Sequence, residues 1–97
     1  MNRYIIEEII PKQGEIRNIH KMMLGSECDL IILRLHHPAW VRYYPDSDQK
    51  YGRLAYTSPV EEFNICENDV VTISTKNTLY SLKLIRGSLK EIIGNAD

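Results

Sequence analysis

Apolar and polar residues alternate most clearly in the last third of the chain. Within residues 71–75 every second side chain is apolar or threonine, and the same period returns over residues 80–84. A period of two is typical of a β-strand with one buried face. The two runs therefore predict a β-hairpin that turns at Lys76-Asn77.

The middle of the chain predicts further strands. Residues 28–35 contain an unbroken apolar run, which favours a central strand covered on both faces. Residues 40–44 extend the sheet after a polar pair of histidines. Residues 53–65 form a strand that Pro59 breaks or places at a sheet edge, because proline has no N–H to donate. Between them, residues 45–52 are polar and rich in turn residues, and predict an exposed loop.

The pattern predicts the secondary structure of the N-terminal segments less clearly. Isoleucines at positions 5, 6, 9 and 10 fit one face of a short helix, but a high content of β-branched residues favours a strand. Residues 15–24 fit either a short amphipathic helix ended by Gly25 or a second strand. Residues 88–94 carry a capping-box pattern and predict one or two helical turns. We expect an α+β, β-dominated fold: a small antiparallel sheet or partly open barrel with one or two short helices.

Composition and charge narrow the class of protein. The 97 residues allow one domain, residues 1–97, with one modest core. A net charge of −1 argues against binding to duplex nucleic acid through phosphate neutralisation. We find no signal-peptide pattern and no apolar run near the roughly 20 residues of a membrane span. Cys28 and Cys66 are far apart in sequence and not in a CxxC pair, so we expect free thiols and a cytoplasmic location.

Known catalytic and metal-binding patterns are missing. His20, His36 and His37 have no finger-like spacing to the two cysteines, so we expect no metal site. Asp46-Ser47-Asp48 begins like a calcium loop but lacks the downstream glycine and glutamate. No nucleophile–base pair and no glycine-rich phosphate loop can be assembled. We therefore expect a protein with no cofactor and no enzymatic activity.

Residues 34–56 are unusually rich in aromatic and basic side chains. They include the only tryptophan and four of the six tyrosines. Aromatic rings stack on bases, and arginines bind phosphate oxygens in pairs, so this mixture is typical of a nucleotide site. The candidates are Arg34, Arg42 and Arg53 as cations, and Trp40 and Tyr43 as stacking residues. The alternative is that Trp40 and about half the tyrosines pack in the core while the arginines are solvated.

Two further residues have a structural and a functional interpretation. Asn77 tolerates the left-handed backbone of a tight turn, which explains it without a ligand. Its carboxamide could also read a base or a ribose. Phe63, the only phenylalanine, is either buried beside Val60 and Ile65 or a stacking platform near the hairpin.

Two phrases carry a resemblance to a known family. Thr57-Ser58-Pro59-Val60, followed by residues 70–82 around Thr75-Lys76-Asn77-Thr78-Leu79-Tyr80, resembles a pattern in small phage-encoded β proteins, among them the Thoeris anti-defence nucleotide sponges. The match covers about residues 53–85, a third of the chain. That family is oligomeric and non-catalytic, and sequesters cyclic ADP-ribose-type signals or cyclic oligonucleotides. The resemblance implies that Phe63 stacks on the ligand and that Asn77 contacts it; the motif does not place the arginines.

The sequence thus favours a homo-oligomeric binding module that sequesters a cyclic nucleotide at a subunit interface and counters anti-phage immunity. The alternative is an inhibitor that binds a host defence or CRISPR enzyme. It would use a strand edge or the acidic residues Glu61, Glu62, Glu67 and Asp69.

Overall fold

The chain forms a ring of six antiparallel strands. A computed structural model describes residues 2–45 and 51–89. The elements are β1 (Arg3–Pro11), α1 (Asn18–Met23), β2 (Glu27–Ile32), β3 (Pro38–Tyr44), β4 (Arg53–Cys66), a 3-10 turn (Glu67–Asp69), β5 (Val70–Thr75) and β6 (Thr78–Arg86). Neighbouring strands follow the chain order, and β6 closes the ring against β1. The predicted β-dominated fold with a short helix is confirmed.

The ring closes unevenly at β1. This strand pairs with β6 along its whole length, but with β2 only at Tyr4–Cys28 and Ile5–Glu27. The remainder of β2, residues 29–32, has no second strand partner among the described residues. The barrel is therefore partly open on this side.

β1 is a strand, as its β-branched residues predicted, and a β-bulge explains its ambiguous spacing. Its pairing with β6 shifts between Ile6 and Glu8. Because a bulge adds one residue to one strand, Ile6 and Ile9 both face the core although they are three positions apart. Spacing that suggested a helix is thus produced by an irregular strand.

The segment with two predicted alternatives contains a helix. α1 has only six residues, and His20 and Met23 are its buried members. Gly25, which follows the helix, has a φ of +81°, and its N–H bonds to the carbonyl oxygen of Ile6 at 2.8 Å. Glycine suits this left-handed position and fixes the helix over one end of the barrel.

The prediction that β2 is covered on both faces is wrong. Ile31 and Ile32 are 39% and 36% exposed, although Leu33 is buried. The β2–β3 register shifts between Leu30 and Ile32, and β1 ends before it reaches this part of β2. These apolar side chains therefore lie at the surface.

β4 is not broken at Pro59. It runs for 14 residues and changes partner along the way. Residues up to Pro59 pair with β3, and residues from Val60 onward pair with β5. Pro59 lies opposite Pro38, so neither residue needs an N–H at this corner of the barrel.

The inward side chains of the strands form one core. Alternation is regular in β3, β5 and β6, where every second side chain is buried. The largest fully buried side chains include Tyr4, Ile6, Leu33, Ile73 and Leu82. Two predicted features, the centre of the 45–52 loop and most of the 88–94 helix, fall outside the described residues.

Candidate ligand-binding surface

The two phrases that carry the resemblance meet in space. The Ser58 hydroxyl donates to Thr75 Oγ1 at 2.8 Å and accepts the Asn77 N–H at 3.1 Å. Thr75 Oγ1 in turn donates to the carbonyl oxygen of Thr78 and accepts the Thr78 N–H. Neither Lys76 nor Asn77 has a positive φ, so the expected left-handed turn is wrong. Side-chain hydrogen bonds hold this hairpin together, and they use the polar groups of both phrases.

A small opening lies beside this network, between α1 and the barrel. We call it the mouth. Its lining comes from α1 and its flank, β3, β4 and the hairpin: Arg17, Ile19, His20, Met23, Val41, Ala55, Tyr56, Thr57, Ser58, Asn77, Thr78 and Tyr80. The cavity volume is about 60 Å³. This space holds a few water molecules or one small polar group, and it is too small for a nucleotide.

A buried histidine pairs with a tyrosine in the lining of the mouth. His20 Nε2 lies 3.2 Å from the Tyr80 hydroxyl, and the two rings meet edge to face. His20 Nδ1 is buried and has no hydrogen-bond partner among the described residues. Burial, and secondarily the charge of Arg17, lower the pKa of His20, so the ring is neutral near pH 7. Burial also raises the pKa of Tyr80.

An aromatic pair lies on the outer face of the barrel next to the mouth. Trp40 and Tyr56 are cross-strand partners on β3 and β4, with ring centroids 5.8 Å apart and planes tilted by 31°. They are 39% and 70% exposed. Ile32 pairs with Trp40 on the other side and extends the row. The result is an exposed apolar row, Ile32–Trp40–Tyr56, whose last member also lines the mouth.

The structure brings only some of the predicted site residues together. Trp40 and Arg42 share the outer face of β3, and Arg42 makes no ion pair among the described residues. The Arg42 side chain crosses Gly52 so closely that a Cβ there would collide with it. Arg53 pairs with the inward Tyr43 at the start of β4, so the strand alternation directs it away from Trp40. Arg34 is exposed in the β2–β3 connection.

Tyr43 and Phe63 lie on the inner side of the barrel. Tyr43 is 3% exposed and belongs to the core, so its ring is closed to a ligand. Phe63 pairs with the buried Ile73 and packs partly buried against the core. Both positions fit the structural interpretation better than the stacking one.

Charged and polar side chains on β1, β2 and β3 form a cluster whose members pair with one another. Arg3 Nε bonds to Asp29 Oδ1 at 2.9 Å, and its guanidinium lies 4.5 Å from the centre of the Tyr44 ring. The Tyr44 hydroxyl donates to Asp29 Oδ2 at 2.7 Å, and this bond to the carboxylate raises the pKa of Tyr44. Glu27 completes the group at 3.5 Å from Arg3. These charges stabilise the β1–β2–β3 surface and leave little capacity for a ligand.

The cysteines and histidines do not assemble into a reactive site. Burial raises the pKa of Cys28 to about 12, which keeps its thiol protonated and unreactive. Cys66 is exposed at the end of β4. In the parts of the chain that the structure describes, no group of three His, Cys, Asp or Glu side chains could hold a metal ion. Nor does any helix there have the length and apolarity to cross a membrane.

Comparisons with protein-family models, curated proteins and solved structures find no match to this chain. The resemblance to the nucleotide sponges therefore rests on the two sequence phrases alone.

Sequence reasoning missed most of the mouth. Among the predicted ligand residues only Asn77 lines it. Arg17 and His20 lie in residues 15–24, for which the sequence predicted either a helix or a strand. Tyr56 is one of four tyrosines in residues 34–56, and the sequence did not single it out. A helical assignment of residues 18–23 would have shown that His20 and Met23 share a face, which is the one available signal.

Proposed function

We propose that this protein is a non-catalytic binding module that sequesters a cyclic nucleotide signal, of the cyclic ADP-ribose type or a cyclic oligonucleotide. In this role it acts in the cytoplasm of an infected bacterium and counters anti-phage immunity. The observation that carries the proposal is the exposed Trp40–Tyr56 pair. Stacking on such a pair is worth about 1–3 kcal/mol per base and tolerates any base, since every base has a π-face.

The charges near the pair suit an anionic ligand. Arg42 lies two residues from Trp40 on the same face of β3 and makes no ion pair among the described residues. Arg17 lines the adjacent mouth, and no Asp or Glu does. A guanidinium on either side of a stacked base can bind phosphate oxygens in bidentate fashion.

One protomer offers an open face and not an enclosing pocket. The mouth is too small for a nucleotide, and the aromatic pair lies exposed on the outer face of the barrel. A second copy of the chain would therefore complete the site, with the ligand held between two outer faces. Ile31 and Ile32 supply apolar surface for such an interface.

The test is mass spectrometry of small molecules released by denaturing the purified protein, followed by calorimetry with cyclic ADP-ribose isomers and cyclic dinucleotides. We expect Tyr56→Ala and Trp40→Ala each to weaken binding at least about tenfold, from the loss of one stacking contact. Tyr51→Ala is the matched control, because Tyr51 is also strongly exposed but lies outside the pair. The absence of any bound or added nucleotide ligand would contradict the proposal.

A second candidate function is a protein-binding inhibitor of a host enzyme. Leu54, at 50% exposure, adds to the apolar row and makes this face larger than one nucleotide requires. The acidic residues of the earlier alternative lie on β4 and the 3-10 turn that follows it, and Glu61 is paired with Lys12 at 3.2 Å. Pull-down with size-exclusion chromatography separates the two functions. A stoichiometric host complex lost in Leu54→Ser would favour inhibition.

A further inference from the structure

The lining of the mouth has the chemistry of an anion site. Among the described residues that line it, Arg17 alone has a charged side chain, and the other polar members carry hydroxyl, amide and imidazole groups. Ser58 and Thr57 are already occupied, since each both donates and accepts a hydrogen bond within the protein. The Arg17 guanidinium and the Asn77 carboxamide make no hydrogen bond among the described residues. They are available to a ligand.

His20 provides an independent observation. Its side chain is 6% exposed, one ring nitrogen is paired with Tyr80, and the other is buried without a partner among the described residues. Buried polar atoms in folded proteins nearly always have a partner, and exceptions concentrate where a ligand, ion or water binds. In the tautomer in which the Tyr80 hydroxyl donates to Nε2, His20 Nδ1 carries a proton that it can donate. Arg17 lines the same mouth and no Asp or Glu does among the described residues, so the site favours a negatively charged oxygen.

The size of the mouth limits the ligand. One water molecule needs about 10–15 Å³ of such space, and the cavity has about 60 Å³. A single phosphate group therefore fits, whereas a nucleoside must remain outside. Tyr56 borders both the mouth and the outer face, so a base stacked on Tyr56 would extend a phosphate toward Arg17.

We propose that the mouth of the barrel is a subsite for one phosphate group, bound by Arg17 and Asn77 with His20 behind them. The role of this subsite within a nucleotide site rests on the proposed function. Its binding of free phosphate does not depend on that function. The ionisable groups beside His20 among the described residues are Arg17, which precedes α1, and Tyr80 from β6. A phosphate beside Arg17 offsets the positive charge that disfavours the imidazolium form, so binding raises the pKa of His20.

The experiment is a titration of the whole chain with inorganic phosphate, followed by NMR of the ¹⁵N-labelled histidine rings, with chloride at matched ionic strength as the reference. We expect a saturable shift of the His20 resonances with a Kd on the order of millimolar, which is the range for a single small anion. We expect Arg17→Gln to weaken binding about tenfold, as for loss of one charge-assisted contact. Arg34→Gln is the matched control, since Arg34 is exposed and does not line the mouth.

Two results would overturn the subsite. One is a His20 ring that does not respond to phosphate beyond the chloride reference. The other is an equal loss of affinity in Arg17→Gln and Arg34→Gln, which would indicate diffuse attraction to surface charge. The pKa of His20, measured in folded wild type and folded Arg17→Gln, gives a second check on phosphate binding beside Arg17. Phosphate should raise this pKa in the wild type and not in Arg17→Gln.

Calorimetry with nucleotides separates this inference from the proposed function. Phosphate binding at the mouth without nucleotide binding upholds the subsite and overturns the sequestering role. Nucleotide binding that Tyr56→Ala weakens at least about tenfold and Arg17→Gln leaves intact upholds the role and overturns the part of the subsite in nucleotide binding.

Discussion

The hydrogen-bonded hairpin and the outer aromatic row are neighbours with opposite properties. At the hairpin, the hydroxyls of Ser58 and Thr75 satisfy each other and the backbone of the turn, and Thr75 is fully buried. On the outer face, Trp40 and Tyr56 contact each other and leave much of their area exposed. Polar residues that look like a binding motif are thus used to build the barrel. Apolar residues that look like core material are available for binding.

The largest effect should follow from breaking the hairpin network. Thr75→Val keeps the shape of the side chain but removes the hydroxyl, which leaves Ser58 and the Thr78 N–H without their partner. We expect a loss of about 2–3 kcal/mol in the free energy of unfolding, measured by urea denaturation, because buried unpaired groups are costly.

Thr72→Val is the matched control for this change. Thr72 lies on the same strand and is half-buried, and among the described residues its hydroxyl has one polar contact, the Cys66 sulfur at 3.9 Å. We expect Thr72→Val to lower the free energy of unfolding by no more than about 0.5 kcal/mol. Similar losses in the two variants would show that the network adds no stability.

The aromatic row should contribute less to folding than to binding. Tyr56→Ala removes an exposed ring whose main contact is Trp40, so we expect a loss of about 1 kcal/mol or less in the free energy of unfolding. The same variant should abolish ligand stacking. A thermal denaturation series that found Tyr56→Ala as damaging as Thr75→Val would contradict the division between the two regions.

The smallest effect should come from titration of His20 at the edge of the hairpin region. Its pKa is lowered in the folded protein, so its contribution to stability is complete above the unfolded value of 6.5 and is lost as pH falls through the lower folded value. Denaturation midpoints measured from neutral pH down to roughly pH 5 should therefore fall more steeply in the wild type than in His20→Gln.

His37→Gln is the control for that titration, because His37 is an exposed histidine in the β2–β3 connection and does not line the mouth. The denaturation midpoints of His37→Gln should change with pH as those of the wild type do. Parallel curves for wild type and His20→Gln would mean that the buried ring does not couple folding to pH.

Much of the fold could be predicted from local pattern. Residues 71–84 alternate with a period of two, and the β5–β6 hairpin follows from that pattern. β1 was also predicted as a strand, although a bulge at Ile6–Glu8 disguised its period. Pro59 was misleading, because the rule against proline in a strand assumes a ladder on both sides. At Pro59 the strand changes partner, and no N–H is needed.

The candidate site was less predictable. Arg42 and Trp40 share a face because they are two residues apart on one strand, which the sequence already implies. Tyr43 comes directly after Arg42 and points inward, but this follows only when β3 is known to be a strand with one buried face. Asn77 was placed in a left-handed turn, whereas its N–H donates to the Ser58 hydroxyl and its φ is not positive.

By itself, the sequence determined the β-dominated composition, the main hairpin and the absence of a recognisable catalytic motif, because each depends on residues close together in the chain. Only the tertiary structure decided which distant side chains meet. Ser58 reaches Thr75, Trp40 reaches Tyr56, and His20 reaches Tyr80 across a separation of 60 residues. Closure of the ring and the register of its strands set these contacts. Local alternation specifies the face of a residue but not its partner on the next strand.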